Sequence, residues 1–316
     1  MTRVPQLSIV IPVFNGSETI ERLVDEVHSV FEGRHFEVVL VNDGSTDDSE
    51  RVCQAMALKF CSTVMFAQLS RNFGEHAAVL AGMSRSTGEF VGILDDDGQN
   101  PPQELMRLWQ HIRETGSDVV YGRYITKEHG WFRNLGSRLN GLCAASLIDK
   151  PRHIYLSSFK VLSRSLVEEL LKYRGPFPYL DALICRSTRR MTQIDVTHRP
   201  RASGRSNYTI PRLTALWLNM CVGYSLVPSR LTFFIGVLIT LAGGVWLIAI
   251  VIECAFPGAA APATVPALLA AALLISGIQL LGVGILGEYA GRILMQQNGP
   301  PPYVIRYVQG GRAPGE

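Results

Sequence analysis

The chain has 316 residues, 47% of them hydrophobic and 18% charged, with a mean hydropathy of +0.16. That length allows one sizeable domain and an appendage, and the balance is too apolar for an ordinary soluble enzyme. A formal net charge of +3 is too small to mark a nucleic-acid binder, so no nucleic-acid partner is expected.

The apolar run Leu7 to Phe14 contains Pro12 and leads into Asn15-Gly16 without a small-residue cleavage site, so it reads as a first strand, not a signal peptide. Short apolar, β-branched runs follow at Phe36–Val41, Val64–Leu69, Phe90–Leu94 and Val119–Tyr121. Helical stretches fall between them at Glu18–Phe31, Ser49–Lys59 and His76–Ser84. This alternation predicts an α/β domain with a mostly parallel sheet, covered on both faces. Six cysteines (Cys53, Cys61, Cys143, Cys185, Cys221, Cys254) show no C-x-x-C pair, which fits free thiols in a reducing compartment.

In such sheets ligands bind beyond the carboxyl ends of the strands. Polar clusters occupy those ends: Asn15-Gly16, Asn42-Asp43-Gly44-Ser45, Arg71-Asn72 and Asp95-Asp96-Asp97. The last is the sharpest. If the segment stays extended, Asp95 and Asp97 share a face while Asp96 points away. Two carboxylates and the Gln99 carbonyl are hard oxygen donors of the kind that Mg²⁺ or Mn²⁺ takes when phosphates complete the shell. An Asp-rich surface turn is the bland counterpart, but here the cluster follows a buried-looking strand and precedes the helix-starting Pro101-Pro102. Residues 42–47 serve equally as a turn with a helix cap or as a base- and ribose-binding strand end. His76, His111 and His129 read as surface or capping residues, and His153 and His198 receive no role.

Basic residues gather at Arg186-Arg189-Arg190, a solvated face, and at His198-Arg199-Arg201-Arg205, which is either solvated or a site for anionic headgroups and phosphates. Beyond them, Ile210, Leu213, Trp217, Met220 and Tyr224 recur at helical spacing over 210–229. They form either an interfacial amphipathic helix or one packed on the first domain. Thr232–Ile252 and Thr264–Gly287 carry no charge, and each is long enough to cross a hydrocarbon core of about 30 Å. The loop between them lacks Lys and Arg, whereas Arg230, Arg292, Arg306 and Arg312 lie outside. The expectation is a two-helix transmembrane hairpin over 230–292 with both ends cytoplasmic, a catalytic domain over 1–209 and a cytoplasmic tail over 293–316. Localisation in the inner (plasma) membrane, with self-association through hairpin or tail, follows from that arrangement.

Several motifs together resemble family 2 glycosyltransferases of the GT-A fold. They are Ser8-Ile9-Val10-Ile11-Pro12-Val13-Phe14-Asn15, Asn42-Asp43-Gly44-Ser45, Leu69-Ser70-Arg71-Asn72-Phe73-Gly74, Asp95 to Pro102, and Leu281 to Tyr289 with Gly291-Arg292. The likeness is to the polyprenyl-phosphate branch, of the dolichol-phosphate mannose synthase, GtrB and ArnC kinds. The resemblance implies inverting, metal-dependent transfer from a nucleotide-diphosphate sugar, with UDP as the nucleotide, to a polyprenyl phosphate such as undecaprenyl phosphate. It implies that Pro12, Phe14, Asn15, Asp43, Asp95 and Asp96 line the nucleotide-sugar pocket, and that Asp95, Asp97 and Gln99 hold Mg²⁺ or Mn²⁺. Arg123, Arg133 and Ser137 become acceptor-phosphate contacts, with Arg201 the loop arginine that meets the phosphates. Homo-oligomers, tetramers among them, are compatible with the branch. The chain departs from it at Asn207, where Lys is frequent, with Arg205 the candidate substitute, and at Ile154–Lys160, where an acidic or glycine-containing stretch is common. No Gln-x-x-Arg-Trp motif supports a processive polysaccharide synthase, an intact Asp95-x-Asp97 speaks against a silent scaffold, and two spans are too few for a transporter.

Overall fold

The computed structural model describes residues 5–124, 151, 154–175, 178–199 and 301–311, with single helical positions between 268 and 293. The chain forms two compact units, Met1–Asn207 together with Asn298–Glu316, and Tyr208–Gln297.

The first unit is built on strands β1 (Leu7–Val13), β2 (Phe36–Asn42), β3 (Val64–Leu69), β4 (Phe90–Ile93), β5 (Val119–Tyr124), β6 (Lys160–Ser163), β7 (Met191–Val196) and β8 (Ile305–Gly310). Its helices are α1 (Ile20–Val30), α2 (Ser49–Lys59), α3 (Glu75–Arg85), α4 (Pro102–Thr115), α5 (Arg164–Leu170) and α6 (Leu180–Ser187). One sheet runs in the order β7-β5-β6-β4-β1-β2-β3-β8. β1 pairs in parallel with β2 and β4, β2 with β3, and β5 with β7. β6 lies antiparallel between β4 and β5, and β8 lies antiparallel on β3.

The period of two in β1 sorts its side chains. Leu7, Ile9, Ile11 and Val13 enter a core with Ile20, Leu23, Val24 and Val27 of α1, Met56 of α2, and Leu105, Leu108 and Trp109 of α4. Each such large side chain contributes up to about 1.5–3 kcal/mol by leaving water. On the opposite face α3 lies close against β1 and β2, because its Gly82 has no side chain. A Cβ there would stand 2.4 Å from Val10 Cγ1 and 3.0 Å from Val41 Cγ2.

The tail expected over 293–316 is partly sheet. Ile305 to Gly310 pairs with β3, and the Tyr307 hydroxyl donates to Glu50 Oε1 at 2.6 Å and accepts from Gln54 Nε2 at 2.6 Å. Ile305, Tyr307 and Gln309 alternate with exposed residues, a two-residue period hidden behind Gly299-Pro300-Pro301-Pro302. In the second unit, the described positions between 268 and 293 are helical, and Leu268, Ile275, Val283, Leu286 and Ile293 are exposed. Among the described residues no helix is long and apolar enough to cross a membrane. The expected span 232–252 and interfacial helix 210–229 lie outside the described residues, as does most of 264–287. Cys53, buried, and Cys61, exposed, are free thiols.

Candidate active site

A crevice opens where β4 stops short of its neighbour. The last β1–β4 pair is Val10 with Ile93, and Leu94 N donates to Val10 O at 3.0 Å, yet β1 continues to Val13 beside β2. Pro12, which has no N–H to give, is buried beyond the last of those pairs. The acidic segment emerges there, and it is not extended: the chain turns at Asp96-Asp97. The alternation expected for an extended segment therefore does not carry through residues 95–97. Asp96 Oδ2 instead accepts from Phe14 N at 2.9 Å and lies over Gly16, where a Cβ would come within 2.6 Å of it. Asp97 Oδ1 accepts from Gln99 N at 3.1 Å, an Asx-type turn.

The ends of β1 and β2 are stitched by side chains. Asn15, left-handed at φ 56°, accepts from Thr46 N at 2.9 Å, and its own N–H donates to Ser45 Oγ at 2.9 Å. Asn is among the few side-chain-bearing residues suited to that backbone region. Asn42 Nδ2 donates to Gln68 Oε1 at 2.8 Å, which ties β2 to β3. Asp43 is 3% exposed, and its two oxygens accept from Phe73 N at 2.7 Å and Gly74 N at 2.8 Å. It therefore clamps the loop that leads into α3.

Burial lifts the Asp43 carboxyl to about 6 from 3.8, against the pull of those two N–H groups and of Arg71. The folded chain thus binds this proton more tightly than the unfolded one. The stability it contributes is fully present below pH 3.8 and is lost as pH rises from 3.8 to about 6. Asp43→Asn cannot titrate, although its amide turns a donor toward one N–H at a cost of about 1–3 kcal/mol. Thermal melts from about pH 4 to about pH 7 are expected to show the wild type losing stability relative to Asp43→Asn, and parallel curves would refute this account.

Asp95 Oδ2 accepts from Asn100 Nδ2 at 2.9 Å and from Ser158 Oγ at 2.7 Å. The His198 ring lies 4.4 Å from the Tyr124 ring, centroid to centroid. Asn100, Ser158, Tyr124 and His198 had no assigned role in the sequence, because Ser158 lies 63 positions from Asp95 and only the fold joins them. Gln99 exchanges hydrogen bonds with the other side of the crevice. Arg199 N donates to Gln99 O at 2.9 Å, and Gln99 Nε2 donates to Arg199 O at 3.3 Å. That link brings the segment preceding Arg201 to the acidic loop. Arg133, Ser137, Arg201 and Arg205 themselves lie outside the described residues.

Among the described residues no three His, Cys, Asp or Glu side chains form a closed metal cage. The set at hand is an open one: carboxylates of Asp95 and Asp97 on one short loop, with the Gln99 amide nitrogen turned to Arg199 and its carbonyl as the acceptor end. Hard oxygen donors with coordination left for phosphates suit Mg²⁺ or Mn²⁺.

Glu75, at the start of α3, faces Asp95, and its carboxyl is raised, first by loss of surrounding water and then by that neighbour. His76 is half-buried in the first turn of α3: it meets the Tyr179 ring edge-on at 5.0 Å, and desolvation lowers it to about 4, so it is neutral at pH 7. Beneath them Lys160 is buried in an ion pair with Asp181, which also accepts from the Tyr121 hydroxyl at 3.1 Å. Arg123 gives Nε and Nη2 to Asp195 at 2.5 and 2.9 Å, an exposed bidentate pair joining β5 to β7.

A profile of the family described as Glycosyl transferase family 2 matches residues 8–171. The chain belongs to that family. It is 36% identical over 305 residues to the undecaprenyl-phosphate 4-deoxy-4-formamido-L-arabinose transferase of Pseudomonas aeruginosa strain LESB58, covering 96% of this chain and 90% of the relative. The transferase of the same name from Yersinia pestis strain Pestoides F is 32% identical over 310 residues, with 97% and 94% covered. In structure the chain is similar to glucosyl-3-phosphoglycerate synthase of Mycobacterium tuberculosis, solved with Mn²⁺, uridine diphosphate and phosphoglyceric acid. The TM-score is 0.53 at 18% identity, over 69% of this chain and 76% of that one. That likeness shows the shared GT-A α/β fold. The protein is a family 2 glycosyltransferase, and its four strand-end clusters lie at the crevice where such a sheet takes its ligand.

Proposed function

We propose that the enzyme transfers a sugar from a nucleoside-diphosphate sugar, with uridine as the nucleoside, to a polyprenyl phosphate such as undecaprenyl phosphate, with inversion at the anomeric carbon. The observation that carries this reading is the crevice itself. Asp95 and Asp97 stand beyond β4, and the Gln99–Arg199 hydrogen bonds draw the basic segment leading to Arg201 onto the same loop. The full-length likeness to transferases named for undecaprenyl phosphate supports the acceptor.

The β1–β2 seam at Phe14, Asn15 and Asp43 is the place for the nucleoside, with Asp43 holding the 71–74 loop as one wall. A divalent cation held by Asp95, Asp97 and Gln99 would supply Lewis-acid neutralisation of the departing diphosphate. Arg201, with Arg133 and Ser137, would orient the acceptor phosphate by bidentate and charge-assisted hydrogen bonds. Arg123 joins them only if its pair with Asp195 opens or is shared. The lipid phosphate oxygen forms the new bond to the anomeric carbon as the bond to the diphosphate breaks, and the nucleoside diphosphate leaves. A phosphate monoester has a second pKa of about 6, so the nucleophile is already anionic at neutral pH and no base is needed. The charge-free runs 232–252 and 264–287 would keep the enzyme at the membrane where the polyprenyl chain resides, with the catalytic unit on the cytoplasmic face.

Full-length protein in detergent, with Mn²⁺ or Mg²⁺, undecaprenyl phosphate and a panel of UDP- and GDP-sugars, tests this directly. Mass spectrometry of the chloroform extract is expected to show one lipid-phosphate-sugar, which also names the sugar. Nucleotide-sugar binding without lipid product from any donor would overturn the proposal.

A further inference from the structure

Asp95 is held in a way that a simple strand-end turn does not require. Its Oδ2 receives two hydrogen bonds from neutral donors of separate origin, Asn100 in the same loop at 2.9 Å and Ser158, just ahead of β6, at 2.7 Å. A carboxylate oxygen offers about two lone-pair directions, so these donors fill Oδ2. Both donors are themselves held. Asn100 is 1% exposed, and its Oδ1 faces His198 Nδ1 at 3.4 Å. Ser157 anchors the same stretch by donating to Gly122 O and Phe159 O, both at 2.9 Å, and Phe159 is fully buried. The Ser158 hydroxyl is therefore delivered by a fixed backbone.

We propose that Ser158 and Asn100 are positioning residues that lock the rotation of the Asp95 carboxylate, so that Asp95 meets the divalent cation through Oδ1. The proposal rests on the metal reading above and adds to it which oxygen acts and what aims it. Neutral donors suit that task. An Arg or Lys in place of Ser158 would hold the carboxylate equally well but would cancel the charge that a cation needs. A serine here, in the stretch where the sequence departs from its branch, thus acts on the crevice and not on the core alone. Outer-shell partners of this kind alter metal affinity by about 10–100-fold when removed.

The test reads metal binding without turnover. Mn²⁺ is titrated into the full-length protein in detergent with uridine diphosphate, and free Mn²⁺ is followed by electron paramagnetic resonance. Ser158→Ala is expected to weaken Mn²⁺ binding about tenfold, and Ser158→Thr, which keeps the hydroxyl, to stay within about twofold of the wild type. Asp97→Asn serves as the control for the parent reading. If Asp97→Asn loses Mn²⁺ while Ser158→Ala binds it normally, the positioning role fails and the metal site stands. If neither changes Mn²⁺ binding, the metal reading fails and this inference with it. Equal losses in Ser158→Ala and Ser158→Thr would assign the effect to packing and overturn the proposal.

Discussion

Asp97→Asn is expected to lower turnover on the order of 10²–10³-fold, the size seen when one electrostatic contact to a developing charge is removed. The fold is expected to tolerate it. Asp97 accepts from Gln99 N at 3.1 Å, and an Asn carbonyl accepts in the same way. The turn at 96–97 therefore keeps its closing hydrogen bond while the loop loses one formal negative charge. Circular dichroism and the melting temperature should match the wild type, and the loss should appear in lipid-linked product per minute. Turnover within a few-fold of wild type would remove Asp97 from the metal set. A collapsed melting curve would instead show that the turn, not the chemistry, depends on the charge.

Asp181→Asn is expected to act in the opposite sense, on stability first. Lys160 is 1% exposed and Asp181 7%, and the pair sits under the Tyr121 ring, whose hydroxyl donates to the same Asp181 oxygen. Removing one partner leaves an ammonium in a place water does not reach, which costs about 3–5 kcal/mol. For a unit of this size that is a drop of roughly 10 °C in melting temperature. Replacing both, as Lys160→Met with Asp181→Leu, removes the stranded charge and is expected to recover at least half of the loss. Differential scanning calorimetry on the three proteins decides the matter. A double variant no better than the single would mean that the pair is held for its hydrogen bonds and shape, not for charge balance.

Much of the first unit could be read along the sequence, because its signals are local. The runs over β1 to β4 are apolar and β-branched, and each is followed by Asn, Asp or Arg at the strand end, so their bounds fall within a residue or so of the expectation. β5 runs to Tyr124, past the Tyr121 where the apolar run stops, because Gly122, Arg123 and Tyr124 pair with Ile194, Asp195 and Val196 of β7, far along the chain. β6 is four residues long and begins with a buried lysine, which only the distant Asp181 makes tolerable. The acidic loop was legible as a site from its composition, but not its internal arrangement. Alternation assumes an extended backbone, and the hydrogen bond from Phe14 N to Asp96 comes from 82 residues away. Ser158 escaped for the same reason. A serine in an apolar stretch has no spacing rule, and its meaning lies in the oxygen it reaches.

The position of β8 sets an order of events in the making of the protein. The sheet edge beside β3 is completed by residues 305–310, and Tyr307 reaches back across 257 positions to Glu50. A ribosome releases those residues only after the whole of Tyr208–Gln297 has been synthesised. Until then β3 presents an open row of peptide groups, the kind of edge on which chains pair wrongly. A nascent chain cut before residue 305 would keep that edge for good. For the same reason, the catalytic unit is not obtained by stopping translation ahead of the apolar runs. A version without Tyr208–Gln297 needs 207 joined to 298 by a linker, so that β8 can return to its place.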